Sequence, residues 1–335
     1  MGSISNEVQT ECLPFFRIYK DGTVERLIGT PYVPPSLDDP KSGVSSKDIT
    51  ISQNPLIKAR LHIPKQVLDQ SQATDNKSPE KLPLLVYYHG GGFCIESAFS
   101  LVEHQLLQSI TAEARILAVS IEYRLAPEHL LPAAYEDCWE GLQWVTSHSA
   151  AGEMKPGFEA DPWITIHADF ERLFIGGDSA GANLAYNTVM RAGTEKLSGG
   201  VKILGAFITH PYFWGSKAVG SENEKEQLKV LPCTLWNALY PNAPNGIDNP
   251  MINPLAPKAP SLSGLACKRL LVSVASQDQL KSRGVSFYKA MKESGWEGEA
   301  ELVQVEGEEH AFHILNFETE SAKMMIKRLA EFLRK

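Results

Sequence analysis

The stretch Leu82–Tyr88 constrains the fold of this chain more than any other. It reads LPLLVYY, with a polar stretch before it (68–81) and three glycines soon after it (90–92). A continuous apolar run of this length, with no alternation of polar and apolar residues, suits a strand buried on both faces. Such strands belong to parallel sheets covered by helices. The rest of the chain follows the same logic. Residues 57–63 alternate as a strand upstream. Residues 116–121 (ILAVSI), 173–176, 203–209, 270–275 (LLVSVA) and 302–305 read as further strands. Residues 133–144, 182–191, 285–294 and 321–333 read as helices. Strands alternating with helices predict an α/β fold with a mostly parallel central sheet and helices on both faces.

No internal repeat or long linker divides the chain, so residues 1–335 are expected to form one domain. Two segments stand outside the alternation: residues 1–48, and 211–265, which are rich in Pro, Asn and Trp. Ligands of open α/β sheets bind at the carboxyl ends of the strands, and extra segments commonly cover that edge. The two are therefore expected to form a lid.

Composition narrows the function. A formal net charge of −8 in 335 residues argues against a nucleic-acid partner, which would want a basic face. No segment approaches the roughly 20 apolar residues of a membrane span, so no membrane partner is expected. The first residues lack the basic start and apolar core of a secretory signal, which favours a cytoplasmic location. Five cysteines, Cys12, Cys94, Cys138, Cys233 and Cys267, are scattered without CxxC spacing. That pattern suits reduced thiols and matches no zinc signature. Neither metal nor cofactor is expected. Nothing in the sequence signals an oligomeric state.

Chemistry concentrates in two glycine motifs. Gly177-Asp178-Ser179-Ala180-Gly181 matches G-x-S-x-G, directly after one expected strand and directly before a helix. A tight strand-to-helix turn there lifts the Ser179 hydroxyl clear of the sheet. His89-Gly90-Gly91-Gly92-Phe93 follows the run at 82–88. Its unshielded N–H groups can form an oxyanion hole from Gly90, Gly91 and Gly92 together with Ala180. Gly91 and Gly92 are the favoured donors, Gly90 shapes the turn, and His89 holds the loop. After a G-x-S-x-G serine the acid precedes the histidine in the chain. His310, in the loop after 302–305, is the expected base, with His313 as its alternative. Asp278, just past the strand 270–275, is the expected acid, with Asp248 as its alternative. Ser179, His310 and Asp278 then predict nucleophilic attack on a carboxylic ester. Phe93, Tyr212, Phe213, Trp214 and Phe312 are expected to line a pocket for an apolar or aromatic small-molecule ester.

These motifs together resemble the plant carboxylesterases of the hormone-sensitive-lipase group, across essentially the whole chain. Residues 123–128 (YRLAPE) and 132–139 add to the likeness. The resemblance implies the α/β-hydrolase fold and a lid built from the N-terminus and a mid-chain insertion. Gibberellin receptors look similar but lack the catalytic histidine, which His310 supplies here. The 2-hydroxyisoflavanone dehydratases typically carry Thr at the nucleophile, where this chain has Ser179. Residues 20–22, 32–40, 96–99, 240–244, 249–254 and 293–297 look like segments of the catharanthine and tabersonine synthases. Those cyclases have eroded triads. With HGGGF, GDSAG, Asp278 and His310 in place, this chain resembles a hydrolytic relative of that branch, which implies an esterase of alkaloid metabolism. A cyclase or lyase reusing the pocket is the alternative, and a binding protein with a dead site the third.

Overall fold

The computed structural model describes residues 7–72, 79–220, 222 and 230–335. Residues 1–6, 221 and 223–229, within the expected lid segments, and 73–78, within the polar stretch, lie outside the described residues. The chain opens on a small antiparallel sheet of β1 (Val8–Cys12), β2 (Phe16–Tyr19) and β3 (Val24–Arg26). It continues through β4 (Val44–Gln53), β5 (Leu56–Pro64), α1 (Lys65–Gln72), β6 (Leu82–Tyr88), α2 (Leu101–Ala114) and β7 (Leu117–Glu122). Next come α3 (Ala133–Thr146), α4 (Pro162–His167), β8 (Ala168–Asp178), α5 (Ala180–Arg191), β9 (Ile203–Thr209) and α6 (Val230–Leu239). The last elements are β10 (Arg269–Ala275), α7 (Lys281–Glu293), β11 (Glu299–Val305), α8 (Phe312–Leu315) and α9 (Glu320–Arg334).

The main sheet has eight strands in the order β11-β10-β9-β8-β6-β7-β5-β4. From β7 to β11 every pairing is parallel, while β5 runs antiparallel to both β7 and β4. This is the α/β-hydrolase fold: a mostly parallel sheet flanked by helices. Its centre is the run that anchored the sequence reading, for every residue of β6 is buried. Alternation along that strand assigns its two faces. Leu84, Val86 and Tyr88 join the larger core cluster with α3 and α5. Leu85 and Tyr87 join the second cluster, with Leu106, Leu107 and Ile110 of α2 and Met325, Leu329 and Leu333 of α9.

Three expectations need correction. The N-terminal outlying segment ends near residue 43 rather than 48, because Val44–Gln53 pairs with β5 from Val44↔Pro64 onward and belongs to the main sheet. β8 begins at Ala168, five residues before the expected 173, because its first turn of sequence is polar and partly exposed. The helices α1, α2, α4 and α6 had no counterpart in the sequence reading. Among the described residues no helix is long and apolar enough to cross a membrane.

Candidate active site

The turn that carries Ser179, the expected nucleophile, is built by close backbone approach. Ser179 sits between β8 and α5 with φ 54° and ψ −114°. This is a sparsely populated conformation that costs roughly 1–3 kcal/mol. The turn closes only because its flanks lack side chains. A Cβ on Gly181 would meet Tyr88 O at 2.0 Å, and one on Gly177 would meet the Gly181 backbone at 2.3 Å. Ser179 N–H donates to Thr209 O at 2.9 Å, and Ser179 O accepts from Tyr212 N at 3.0 Å. The elbow is thereby stitched to β9 and the segment beyond it.

Two loops bring the other expected residues to that hydroxyl. His310 Nε2 lies 2.9 Å from Ser179 Oγ, and His310 Nδ1 lies 2.7 Å from Asp278 Oδ2. Asp278 is fixed through Oδ1, which accepts Leu280 N–H at 2.8 Å. The loop carrying His310 is tied to the loop carrying Asp278 by Gln277 N–H donating to Glu308 O at 2.9 Å. Burial disfavours the charged His310 ring. The Asp278 charge and hydrogen bond, with a smaller contribution from Asp178, outweigh it and hold the His310 pKa above its ordinary value. The two alternatives lie elsewhere. His313 is buried, and burial pushes its pKa down to about 3. Asp248 accepts from Ser216 Oγ and from Asn253 Nδ2 in the mid-chain insertion.

The glycine loop is held by its peptide planes. An N–H points opposite to the C=O of its own planar trans peptide, so pinning one aims the other. Gly90 O accepts from His89 Nδ1 at 2.8 Å, which aims Gly91 N–H the other way. Gly91 O accepts from Cys94 N at 3.0 Å and Ile95 N at 2.9 Å, which aims Gly92 N–H. Neither glycine N–H has a protein acceptor among the described residues. Ala180, the first residue of α5, has no earlier turn to bond its N–H. Gly90 differs from the expectation: its N–H donates to Glu103 Oε1 at 3.2 Å, so Gly90 shapes the loop and its N–H is not free for an oxyanion. His89 is buried and stacks on Tyr123 with ring centroids 4.2 Å apart. Cys94 is buried under the same loop, and burial pushes its thiol pKa up.

A cavity of about 350 Å³ opens onto Ser179, His310, Gly91 and Gly92. Phe15, Ile28 and Thr30 line it from the N-terminal segment, and Leu231, Pro232 and Leu235 from α6. Both outlying segments therefore cover the site as a lid would. Of the five aromatic side chains expected to line it, Tyr212 does. The other four are absorbed by packing. Phe93 sits behind the loop among Tyr135, Tyr212 and Trp236, and Phe213 packs on Tyr186 and Phe287. Trp214 lies under the Arg283 guanidinium, and Phe312 packs on His210. The apolar lining comes instead from aliphatic residues such as Ile95, Val102, Leu280 and Ile314. Glu96 and Glu103, both in the lining, were missed by the sequence reading. For Glu103 a signal existed: Ser100-x-x-Glu103 is a helix-start pattern.

One donor set resembles a metal site. Asp178, His210 and His313 place ligand atoms within 4.8 Å of one another beneath Ser179. Asp178 Oδ1, however, already accepts from His210 Nδ1 at 2.9 Å and Thr209 Oγ1 at 3.0 Å. Burial opposes the Asp178 charge, but His210 and its neighbours outweigh it and keep the carboxyl pKa below the ordinary value. Asp178, Thr209 and His210 thus form a hydrogen-bonded support beneath the elbow, with His313 packed against it.

Known proteins resemble this chain in sequence over nearly the full length. The chain is 54% identical over 329 residues to the 2-hydroxyisoflavanone dehydratase of Glycyrrhiza echinata, covering 98% of this chain and 97% of that one. It is 47% identical to the catharanthine synthase of Catharanthus roseus, again over 98% and 97% of the two chains. Among solved structures, the hyperthermophilic esterase of the archaeon Pyrobaculum calidifontis superposes with a TM-score of 0.68 at 26% identity, covering 86% of this chain and 85% of that one. A family model described as the alpha/beta hydrolase fold matches residues 85–314, from the central strand to the helix just past His310. With that match spanning both glycine motifs and both loops of the site, the chain belongs to the alpha/beta hydrolase family.

Proposed function

We propose that this protein is a serine carboxylesterase acting on a small, largely apolar ester. One observation carries the reading: the hydrogen-bonded line Asp278–His310–Ser179, with links of 2.7 and 2.9 Å, ends beside two unoccupied backbone N–H groups. His310 Nε2 takes the Ser179 proton as Oγ attacks the ester carbonyl. Asp278 keeps the proton of the neutral ring on Nδ1 and stabilises the imidazolium that forms. Gly91, Gly92 and Ala180 N–H groups receive the oxyanion, each donor worth about 3 kcal/mol in comparable sites. His310 then protonates the leaving alcohol, and water discharges the acyl-enzyme by the same route. The aliphatic walls and the lid favour an apolar acyl or alcohol group. The wording shared with the cyclase branch makes an indole-alkaloid methyl ester the first candidate. The test is labelling of Ser179 by a fluorophosphonate probe together with turnover of p-nitrophenyl esters. Both should vanish in Ser179→Ala, and near-wild-type turnover by that variant would end the reading.

A second reading, elimination or cyclisation in the same pocket, is favoured by the names of the relatives, a dehydratase and a synthase. Such reactions need a base and a shaped cavity but no acyl-enzyme. Mass spectrometry of the products from an alkaloid methyl ester separates the two. Hydrolysis gives the free acid, or a product lighter by the carbomethoxy unit. Elimination gives a product lighter by its small leaving group with the carbomethoxy unit retained, and cyclisation gives an isomer of unchanged mass, either one formed equally well by Ser179→Ala.

A further inference from the structure

The first turn of α2 places a buried carboxyl group behind the oxyanion loop. Glu103 is 2% exposed and lines the cavity that holds Ser179. Its Oε1 accepts Gly90 N–H at 3.2 Å, and its Oε2 is buried with no hydrogen-bond partner among the described residues. A glutamate three residues after a helix-capping serine usually reaches back to the N–H of that serine. Here Ser100 N–H donates to Ser97 O instead, which leaves Glu103 to serve the loop.

The groups facing the carboxyl decide its charge. They are Asp178 at the end of β8, Glu96 in the loop before α2, Tyr87 of β6 and Tyr123 of β7, none of them a cation. The helices α8 and α9 meet α2 through Ile314, Met325, Ile326 and Leu329, and Arg334 of α9 pairs with Glu113 at the far end of α2. A buried carboxylate with no cation among the groups facing it is strongly disfavoured. The neutral acid fits, with its proton on Oε2 and Oε1 left as the acceptor for Gly90.

We propose that Glu103 is a positioning residue of the oxyanion loop, holding the 89–90 peptide as an uncharged acid so that the Gly91 and Gly92 N–H groups stay aimed at the reacting carbonyl. Tyr123 Oη holds the other side of that peptide, donating to His89 O at 2.8 Å. Ionised, Glu103 would set a negative charge behind the loop as the oxyanion forms in front of it. Burial first, and then the charge of Asp178, push its pKa up to about 8, so the acid form prevails at neutral pH and is lost above it.

This inference rests on the hydrolase reading, and one set of measurements separates the two. Turnover of p-nitrophenyl acetate and the rate of Ser179 labelling by a fluorophosphonate, whose phosphoryl oxygen enters the same hole, are followed from pH 6 to 10. Wild-type rates should fall above about 8. Glu103→Gln, whose amide oxygen can still accept Gly90 N–H, should rescue the neutral-pH rate and abolish the alkaline fall. Glu103→Leu should lower kcat about tenfold or more, with KM little changed and no alkaline fall. An alkaline fall that survives in Glu103→Gln overturns the proposal, as does a wild-type kcat in Glu103→Leu. Labelling that follows the expected pattern without ester turnover removes the esterase reading and leaves Glu103 in its role. Absence of labelling at every pH overturns both.

Discussion

His310 Nε2 stands 2.9 Å from Ser179 Oγ, while His313, three residues on, is sealed in the core with Nε2 3.9 Å from Asp178 Oδ1. The two histidines should therefore fail differently. His310→Ala removes the proposed base and should cost up to about a millionfold in kcat, with the Ser179→Ala/His310→Ala double variant little worse, since the residues of such a triad act as a unit. His313→Ala opens a hole beneath the elbow and should lower Tm while keeping kcat within about tenfold. Steady-state kinetics and thermal melts on the three variants check this, and an exchange of the two outcomes would reassign the base.

The mid-chain insertion is fastened to α7 by a buried ion pair. Arg283 Nε donates to Glu222 Oε1 at 2.7 Å, Nη2 donates to Gly215 O at 3.1 Å and Lys217 O at 2.6 Å, and the guanidinium covers Trp214. Removing one partner of such a pair leaves the other charge buried and typically costs about 3–5 kcal/mol. Arg283→Ala should destabilise the protein by that order in chemical denaturation and red-shift the tryptophan emission as Trp214 gains water. A loss below about 1 kcal/mol would mean that the pair holds little of the insertion in place.

Much of the site was legible because its constraints are local. Ser179 needed only a strand, two glycines and a helix in succession, and the order of Asp278 and His310 along the chain limited the rest. The aromatic side chains expected in the pocket were not legible in the same way. A sequence marks Phe93, Phe213 and Trp214 as large and apolar, but whether each faces the cavity or the core depends on packing partners such as Tyr186, Phe287 and Arg283 that are distant in the chain. The helix α2 was missed although Leu106, Leu107, Ile110 and Ala114 share one helical face. Its buried face also holds the polar residues Glu103, His104, Gln108 and Thr111, which blur the apolar period. With that helix went Glu103. β4 was hidden for another reason: as an edge strand it carries exposed polar residues such as Asp48, Thr50 and Gln53, and only its pairing with β5 identifies it.

Gly181 offers a test of the elbow itself. A Cβ there would lie 2.0 Å from Tyr88 O, a backbone atom of the central strand that no rotamer change can move. Gly181→Ala should cost about 3 kcal/mol or more, at the upper end of overpacking effects, and should lower kcat as α5 is pushed off β6. Gly264→Ala is the control, because its nearest neighbour would be Met190 Cε at 3.9 Å. Equal melting temperatures for the two variants would contradict the close approach.

The charge on His310 should separate activity from stability along the pH axis. Burial disfavours the imidazolium, yet Asp278 and then Asp178 overcome it, so the ring titrates above the ordinary histidine value of about 6.5. Protonated His310 cannot accept the Ser179 proton, so kcat/KM should rise with pH through that elevated value. Stability should move in the opposite sense. A histidine whose pKa is higher folded than unfolded contributes stability that is fully present below the unfolded value and is lost as pH rises through the folded one. Asp278→Asn removes the main opposing charge and leaves burial, so the acid limb of kcat/KM should shift to lower pH. The same variant should lose about four orders of magnitude in kcat through the wrong tautomer. Its melting temperature should also lose the acid-side gain that the wild type shows between the two pKa values. A pH series of kcat/KM and of Tm on both proteins checks the three statements together. An acid limb that stays in place in Asp278→Asn would mean that a group other than His310 sets it.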